Sequence, residues 1–167
     1  LVVDEAYAAF AEENCAELPK QFSNVVVTRT LSKGHALAGL RAGYVLCSPA
    51  VAGVLHKVRD SYNLDRLAQV AAAAALEDEV WLKDTTNKII RTRERLAKAL
   101  QDLGWKVKNS STNFLLAEPV KVGGQVSVSS AESAFDFLRA KKILVRRFPN
   151  HYLTEKALRI TVGNWEK

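Results

Sequence analysis

Asn24-Val25-Val26-Val27-Thr28, running straight into Arg29-Thr30-Leu31-Ser32-Lys33-Gly34, is the stretch that decides the fold. Four consecutive β-branched residues suit a strand buried on both faces. The hydroxyl-rich turn with its glycine follows with no spacer. A strand that delivers polar groups directly from its C-terminal end is the arrangement in which α/β folds collect ligands.

Two runs of the same texture flank this one: Leu1-Val2-Val3-Asp4 upstream and Ala42-Gly43-Tyr44-Val45-Leu46-Cys47 downstream. Both read as buried strands. Ser48-Pro49 predicts a helix start, with Ser48 as N-cap and Val51, Val54 and Leu55 at helical spacing. Asp65 opens an alanine-rich helix to about Glu79, whose small side chains imply close packing. Val80 to Leu103 carries a long amphipathic pattern through Leu82, Ile89, Ile90, Leu96 and Leu100, and Gly104 is placed to end it. Strands are expected at Trp105–Val107, Asn113–Ala117, Ile143–Arg146 and Leu158–Val162, a loop or edge segment at Gly123–Ser129, and a helix at Ala131–Lys141 burying Ala134, Phe135, Phe137 and Leu138. The expected class is α/β: a mostly parallel sheet with helices over residues 1–82, then a small α+β unit over 83–167. The long helix joins the two.

Composition narrows the function. The chain has 167 residues, 48% of them hydrophobic, enough for one ordinary core or two small ones. No apolar run approaches the roughly 20 residues that span a bilayer, so no membrane partner is expected. The net charge of +6 suits anionic ligands or a solvated surface. Lys83, Lys88, Arg91, Arg93, Arg95 and Lys98 are scattered among acids and apolar positions without interleaved aromatics. That is the pattern of an exposed helix, not of a nucleic-acid interface. Cys15 and Cys47 form no CxxC pair and read as free thiols in a reducing, cytoplasmic compartment. The chain starts on a leucine and contains no methionine, so it is expected to be a fragment that begins mid-fold.

Chemistry gathers around the opening stretch. The Thr30–Gly34 turn can present backbone N–H and hydroxyl groups to a phosphate. Lys33 there can serve as a phosphate-binding charge or as an amine that forms a Schiff base with an aldehyde cofactor. Arg41, among small residues in Ala38-Gly39-Leu40-Arg41-Ala42-Gly43-Tyr44, offers a guanidinium fork for phosphate. Asp4 ends the first strand, and Tyr7 follows three residues on. His35 reads as a turn residue, His56 and His151 as structural or exposed, and Glu5 as a brace.

Taken together, Asp4-Glu5-Ala6-Tyr7, Thr30-Leu31-Ser32-Lys33 and Ala38–Tyr44 resemble the fold-type I pyridoxal-phosphate (PLP) aminotransferases, most closely the histidinol-phosphate aminotransferase branch. Tyr62-Asn63, Asn113-Phe114, Ile143–Arg146 and Leu158–Gly163 extend the likeness nearly end to end. The resemblance implies that residues 1–82 are part of a PLP-transferase large domain and that pyridoxal 5′-phosphate is the cofactor. It implies that Lys33 carries the cofactor and shuttles the proton, that Asp4 pairs with the pyridine nitrogen, and that Tyr7 hydrogen-bonds the 3′ oxygen. Thr30, Ser32 and Arg41 would hold the phosphate. Arg159 would clamp the substrate's anionic group, with Arg146 a second anion contact unless Arg147 is the inward-facing one. The implied partners are a small-molecule amino donor, a 2-oxo acid and a second copy in a homodimer. An aminotransferase for another amino acid, a threonine-phosphate decarboxylase-like lyase and a noncatalytic fragment acting in protein association are the alternatives.

Overall fold

The computed structural model describes residues 1–120 and 130–163. Along the chain lie β1 (Val2–Asp4), α1 (Leu18–Gln21), β2 (Val26–Thr30), β3 (Gly43–Leu46), α2 (Pro49–Val58), α3 (Arg66–Glu77), α4 (Glu79–Asp102), β4 (Lys106–Val107), β5 (Phe114–Glu118), α5 (Ala131–Ala140), β6 (Arg146–Arg147) and β7 (Leu158–Thr161). The expected Gly123–Ser129 segment lies outside the described residues. The chain divides into two compact units, Leu1–Thr86 and Asn87–Lys167.

In the first unit, β1, β2 and β3 form a sheet in that order. β1 and β2 are parallel, with Asp4 beside Thr28, whereas β2 and β3 are antiparallel, with Thr30 opposite Gly43. An antiparallel edge on a sheet of this class is common. The central strand supplies Val27, fully buried, and the turn after it supplies Leu31; Phe10, Val25, Ala42 and Ala68 are also buried. Burying a side chain the size of Leu31 or Phe10 stabilises by roughly 1.5–3 kcal/mol. β1 departs from its reading as a buried strand: Leu1 and Val2 are exposed, because β1 is the edge of this three-stranded sheet.

The helices start and stop where local chemistry directs. Asp65 caps α3 by accepting from Ala68 N–H at 2.9 Å. Gly104, at φ 84°, ends α4; its N–H donates to Gln101 O and the next N–H, of Trp105, reaches back to Leu100 O. That pair of bonds is a Schellman motif, which a left-handed residue makes possible. Ser48 differs from its expected role. Its hydroxyl donates to Ser23 O at 3.0 Å instead of capping α2. Val54 and Leu55 of α2 are exposed, and α3 buries Ala68 alone among its residues.

In the second unit the strands run in the order β4-β5-β7-β6, all neighbours antiparallel. Ala131 and Ala134 of α5 pack on Leu158, with Trp105, Phe135, Leu138, Val145 and Ile160 around them. Phe137 is exposed, since positions 131, 134, 135 and 138 define the buried stripe and 137 falls off it. The expected strand at Ile143–Arg146 begins only at Arg146. Lys142 takes a positive φ of 63°, and Ile143 N–H closes back on Leu138 O, so Ile143 and Leu144 are still leaving the helix and are exposed.

Candidate active site

The parallel pairing of β1 with β2 sets the first group of candidate residues. Asp4 sits at the C-terminal end of β1, exposed, and its Oδ1 accepts Ala6 N–H at 3.0 Å. That bond turns the chain so that Tyr7 follows on the same edge. Lys33 Nζ lies 5.7 Å from the centre of the Tyr7 ring, within cation–π range. At the end of β2, Thr30 Oγ1 donates to Ser32 Oγ at 2.8 Å and accepts Ser32 N–H at 3.0 Å. Ser32 O–H is then the donor this pair retains for an anion.

The loop carrying Lys33 is pinned at both ends. Leu31 N–H donates to Ala42 O, and Leu37 N–H donates to Leu31 O. A methyl placed on Gly34 would come within 2.7 Å of the Ala9 Cβ and 3.2 Å of Leu82, so only glycine allows the loop this close. Gly43 is comparably tight: a methyl placed there would come within 2.6 Å of Arg29 O, where β3 approaches β2. Arg41, next to Ala42, has a positive φ of 54°; its exposed side chain donates to Ala38 O at 3.0 Å.

One network here was not legible as a site. Glu5 Oε2 accepts from Arg29 Nε at 2.9 Å and from its terminal nitrogen at 2.7 Å. Glu5 Oε1 accepts Cys15 N–H, and Arg29 also reaches Asn14 Oδ1 at 3.0 Å. Burial pushes the Glu5 carboxyl up, but the Cys15 N–H and the Arg29 guanidinium outweigh it and hold the group below its ordinary range. For Arg29, burial is likewise outweighed, by Tyr44 and Glu5, which favour its charged form. The available signal was an arginine inside a β-branched run, together with a second acid after Asp4.

His35 Nδ1 is buried with no hydrogen-bond partner among the described residues, and burial lowers its pKa.

The second group lies in the other unit. Arg146 and Arg159 are direct cross-strand partners, so they share one face of the sheet. Arg159 lies 4.1 Å from the Phe114 ring centre, and Arg146 lies 5.1 Å from that of Phe148. Arg147 is opposite Leu158, on the face covered by α5, where it pairs with Glu132 at 3.1 Å. The structure thus brings Asp4, Tyr7, Thr30, Ser32 and Lys33 to adjoining strand ends and puts Arg146 beside Arg159. Tyr62 is exposed, and Asn63 accepts from Arg59 at 2.8 Å.

A carboxylate, a phenol, a primary amine and a hydroxyl pair on neighbouring strand ends, with Arg41 in the adjoining loop, form a donor set that fits a phosphorylated aldehyde with a basic ring nitrogen.

The model of the family described as aminotransferase class I and II matches residues 1–167. A histidinol-phosphate aminotransferase of Citrifermentans bemidjiense is 46% identical over all of this chain, which covers 45% of that relative. The corresponding protein of Syntrophotalea carbinolica is 44% identical, again over the whole chain and 46% of its own length. A crystal structure of histidinol-phosphate aminotransferase from Sinorhizobium meliloti in complex with pyridoxal-5′-phosphate superimposes with a TM-score of 0.83 at 32% identity, covering 99% of this chain and 44% of that one. The chain spans a little under half the length of the relatives it matches. Matched from first residue to last, it belongs to the class I and II aminotransferases.

Proposed function

We propose that this chain is part of a PLP-dependent aminotransferase that moves an amino group between histidinol phosphate and a 2-oxo acid, 2-oxoglutarate, in histidine biosynthesis. The supporting observation is the 46% identity to a histidinol-phosphate aminotransferase over the full chain. The grouping of Lys33, Tyr7, Thr30, Ser32 and Asp4 at adjoining strand ends agrees with it.

When bound, the cofactor supplies an electron sink that loosens the proton on the carbon bearing the substrate amine. Lys33 Nζ would hold the cofactor at its carbonyl carbon and, as a free amine, would be placed to accept and return the proton of the substrate carbon. The Asp4 carboxylate would face the ring nitrogen and favour its protonated form. Tyr7 O–H would donate to the ring oxygen. Ser32 O–H, the Thr30 side chain and Arg41 would hold the phosphate. Arg159 would bind the substrate's anionic group as a guanidinium fork, with Arg146 beside it as a second cation. The homodimer and the cytoplasmic location belong to the same reading, supported by the family membership and two free cysteines.

The test is to add PLP, reduce with borohydride and map the modified lysine by mass spectrometry, then ask which amine donor quenches the bound cofactor's absorbance. A single adduct on Lys33, quenched by histidinol phosphate, supports the reading. An adduct on Lys33 quenched only by another donor moves the substrate assignment to a different aminotransferase or a lyase. No specific adduct on this chain or on a version extended to the relatives' full length removes the reading.

A further inference from the structure

Glu5 and Arg29 stand immediately beside residues assigned to the cofactor, yet neither has a role in holding it. Glu5 follows Asp4 and precedes Tyr7 by two positions, and Arg29 precedes Thr30. Successive residues in extended chain point to opposite sides, so the pair lies across the sheet from Asp4 and Thr30.

The pair is tied into four stretches at once. Glu5 N–H donates to Thr28 O at 2.9 Å, carrying the β1–β2 ladder one residue beyond Asp4. The Glu5 carboxylate takes both Arg29 bonds on one oxygen and Cys15 N–H on the other. Arg29 adds Asn14 and stands opposite Tyr44, its direct cross-strand partner on β3. Only 7% of the Glu5 side chain and 23% of the Arg29 side chain are exposed, so the pair is little screened by solvent. A charge-assisted fork of this kind holds geometry more tightly than neutral bonds do.

We propose that Glu5 and Arg29 are positioning residues. Their ion pair sets the spacing between the Asp4–Tyr7 segment and the Thr30–Lys33 segment. It thereby sets the distance between the carboxylate assigned to the ring nitrogen and the amine that holds the cofactor. The inference rests on the cofactor reading above. At metal sites, orienting partners behind the ligating groups commonly change affinity or activity by roughly 10–100-fold when removed, and an effect at the lower end of that range is expected here.

The experiment uses the holoenzyme with Glu5→Gln, which removes the charge, and Arg29→Lys, which keeps the charge but loses the fork. Three quantities are measured: the PLP dissociation constant, the pH midpoint of the bound cofactor's absorbance at saturating PLP, and the circular dichroism of the apoprotein. The expected result is a dissociation constant raised by about tenfold in both variants. The pH midpoint should also shift, which a loss of stability alone does not produce in folded, saturated protein. If Glu5→Gln does not fold, Arg29→Lys decides. Folded variants that label on Lys33 with parental affinity and parental midpoint overturn this proposal alone. A parent protein that takes no PLP onto Lys33 overturns the cofactor reading and this proposal together.

Discussion

The role proposed for Lys33 needs a primary amine, and Lys33 is the one primary amine among the residues grouped at these strand ends. Lys33→Ala is expected to abolish transamination and the borohydride adduct together; turnover with an adduct on another lysine would sink the assignment. His35 gives a pH signature. Its folded pKa is depressed by burial, so below the ordinary value of about 6.5 the unfolded chain binds the proton more readily than the folded one. Stability is therefore unaffected above that value and falls as the pH drops through it. His35→Gln should flatten the melting temperature between pH 7 and 5, measured by thermal unfolding. Glu5 acts in a lower window. Its folded pKa is also depressed, so its contribution is present above about pH 4.3 and is lost as the pH falls toward the folded value.

At the scale of elements, the close approaches and the strand register carry the consequences. Gly34 holds the Lys33 loop against Ala9 and Leu82. Gly34→Ala should force that contact apart and cost about 1–3 kcal/mol, read from denaturant unfolding. An unchanged midpoint would mean that the loop relaxes freely. The β6–β7 register separates two adjacent arginines. Arg146→Ala, on the Arg159 face, should raise KM for the phosphorylated donor by roughly tenfold. Arg147→Ala should leave that KM nearly unchanged and cost under about 1 kcal/mol, because its partner Glu132 is largely exposed. Steady-state kinetics on the two variants separates them, and the reverse ranking would reassign the anion contact.

At the scale of the molecule, a number of large apolar side chains lie exposed. Leu1 is 75% exposed, Val2 67%, Val58 73% and Val70 66%. Large exposed apolar surface marks interaction sites or association. Because the chain spans 45% of a curated relative, the protein extended to that relative's length is the natural comparison. The chain by itself should self-associate in sedimentation velocity and bind a hydrophobic dye, while the extended protein does so less and gives a higher Lys33 adduct yield. Equal behaviour of the two would mean that these side chains stay exposed in the longer protein.

The division between what was legible and what was not follows from the range of the forces involved. Strand and helix positions, the Asp65 cap and the Gly104 stop depend on periodicity and on bonds a few residues long, so the local sequence determined them. Lys33, Asp4 and Arg159 could be proposed from the sequence because each sits in a short motif whose order along the chain is itself informative. Exposure of Leu1 and Val2 could not be read, because an apolar run states a preference for burial and not whether a neighbour is there to cover it. Phe137 and Ile143 were misplaced because helix phase and the Lys142 turn are settled by packing against β7. Arg146 versus Arg147 stayed open on alternation alone, which says the two differ but not which face is covered. The Glu5–Arg29 pair was equally closed to sequence. Its members are 24 residues apart, and only the parallel pairing of β1 with β2 brings two charges together at a cost in desolvation that their hydrogen bonds offset.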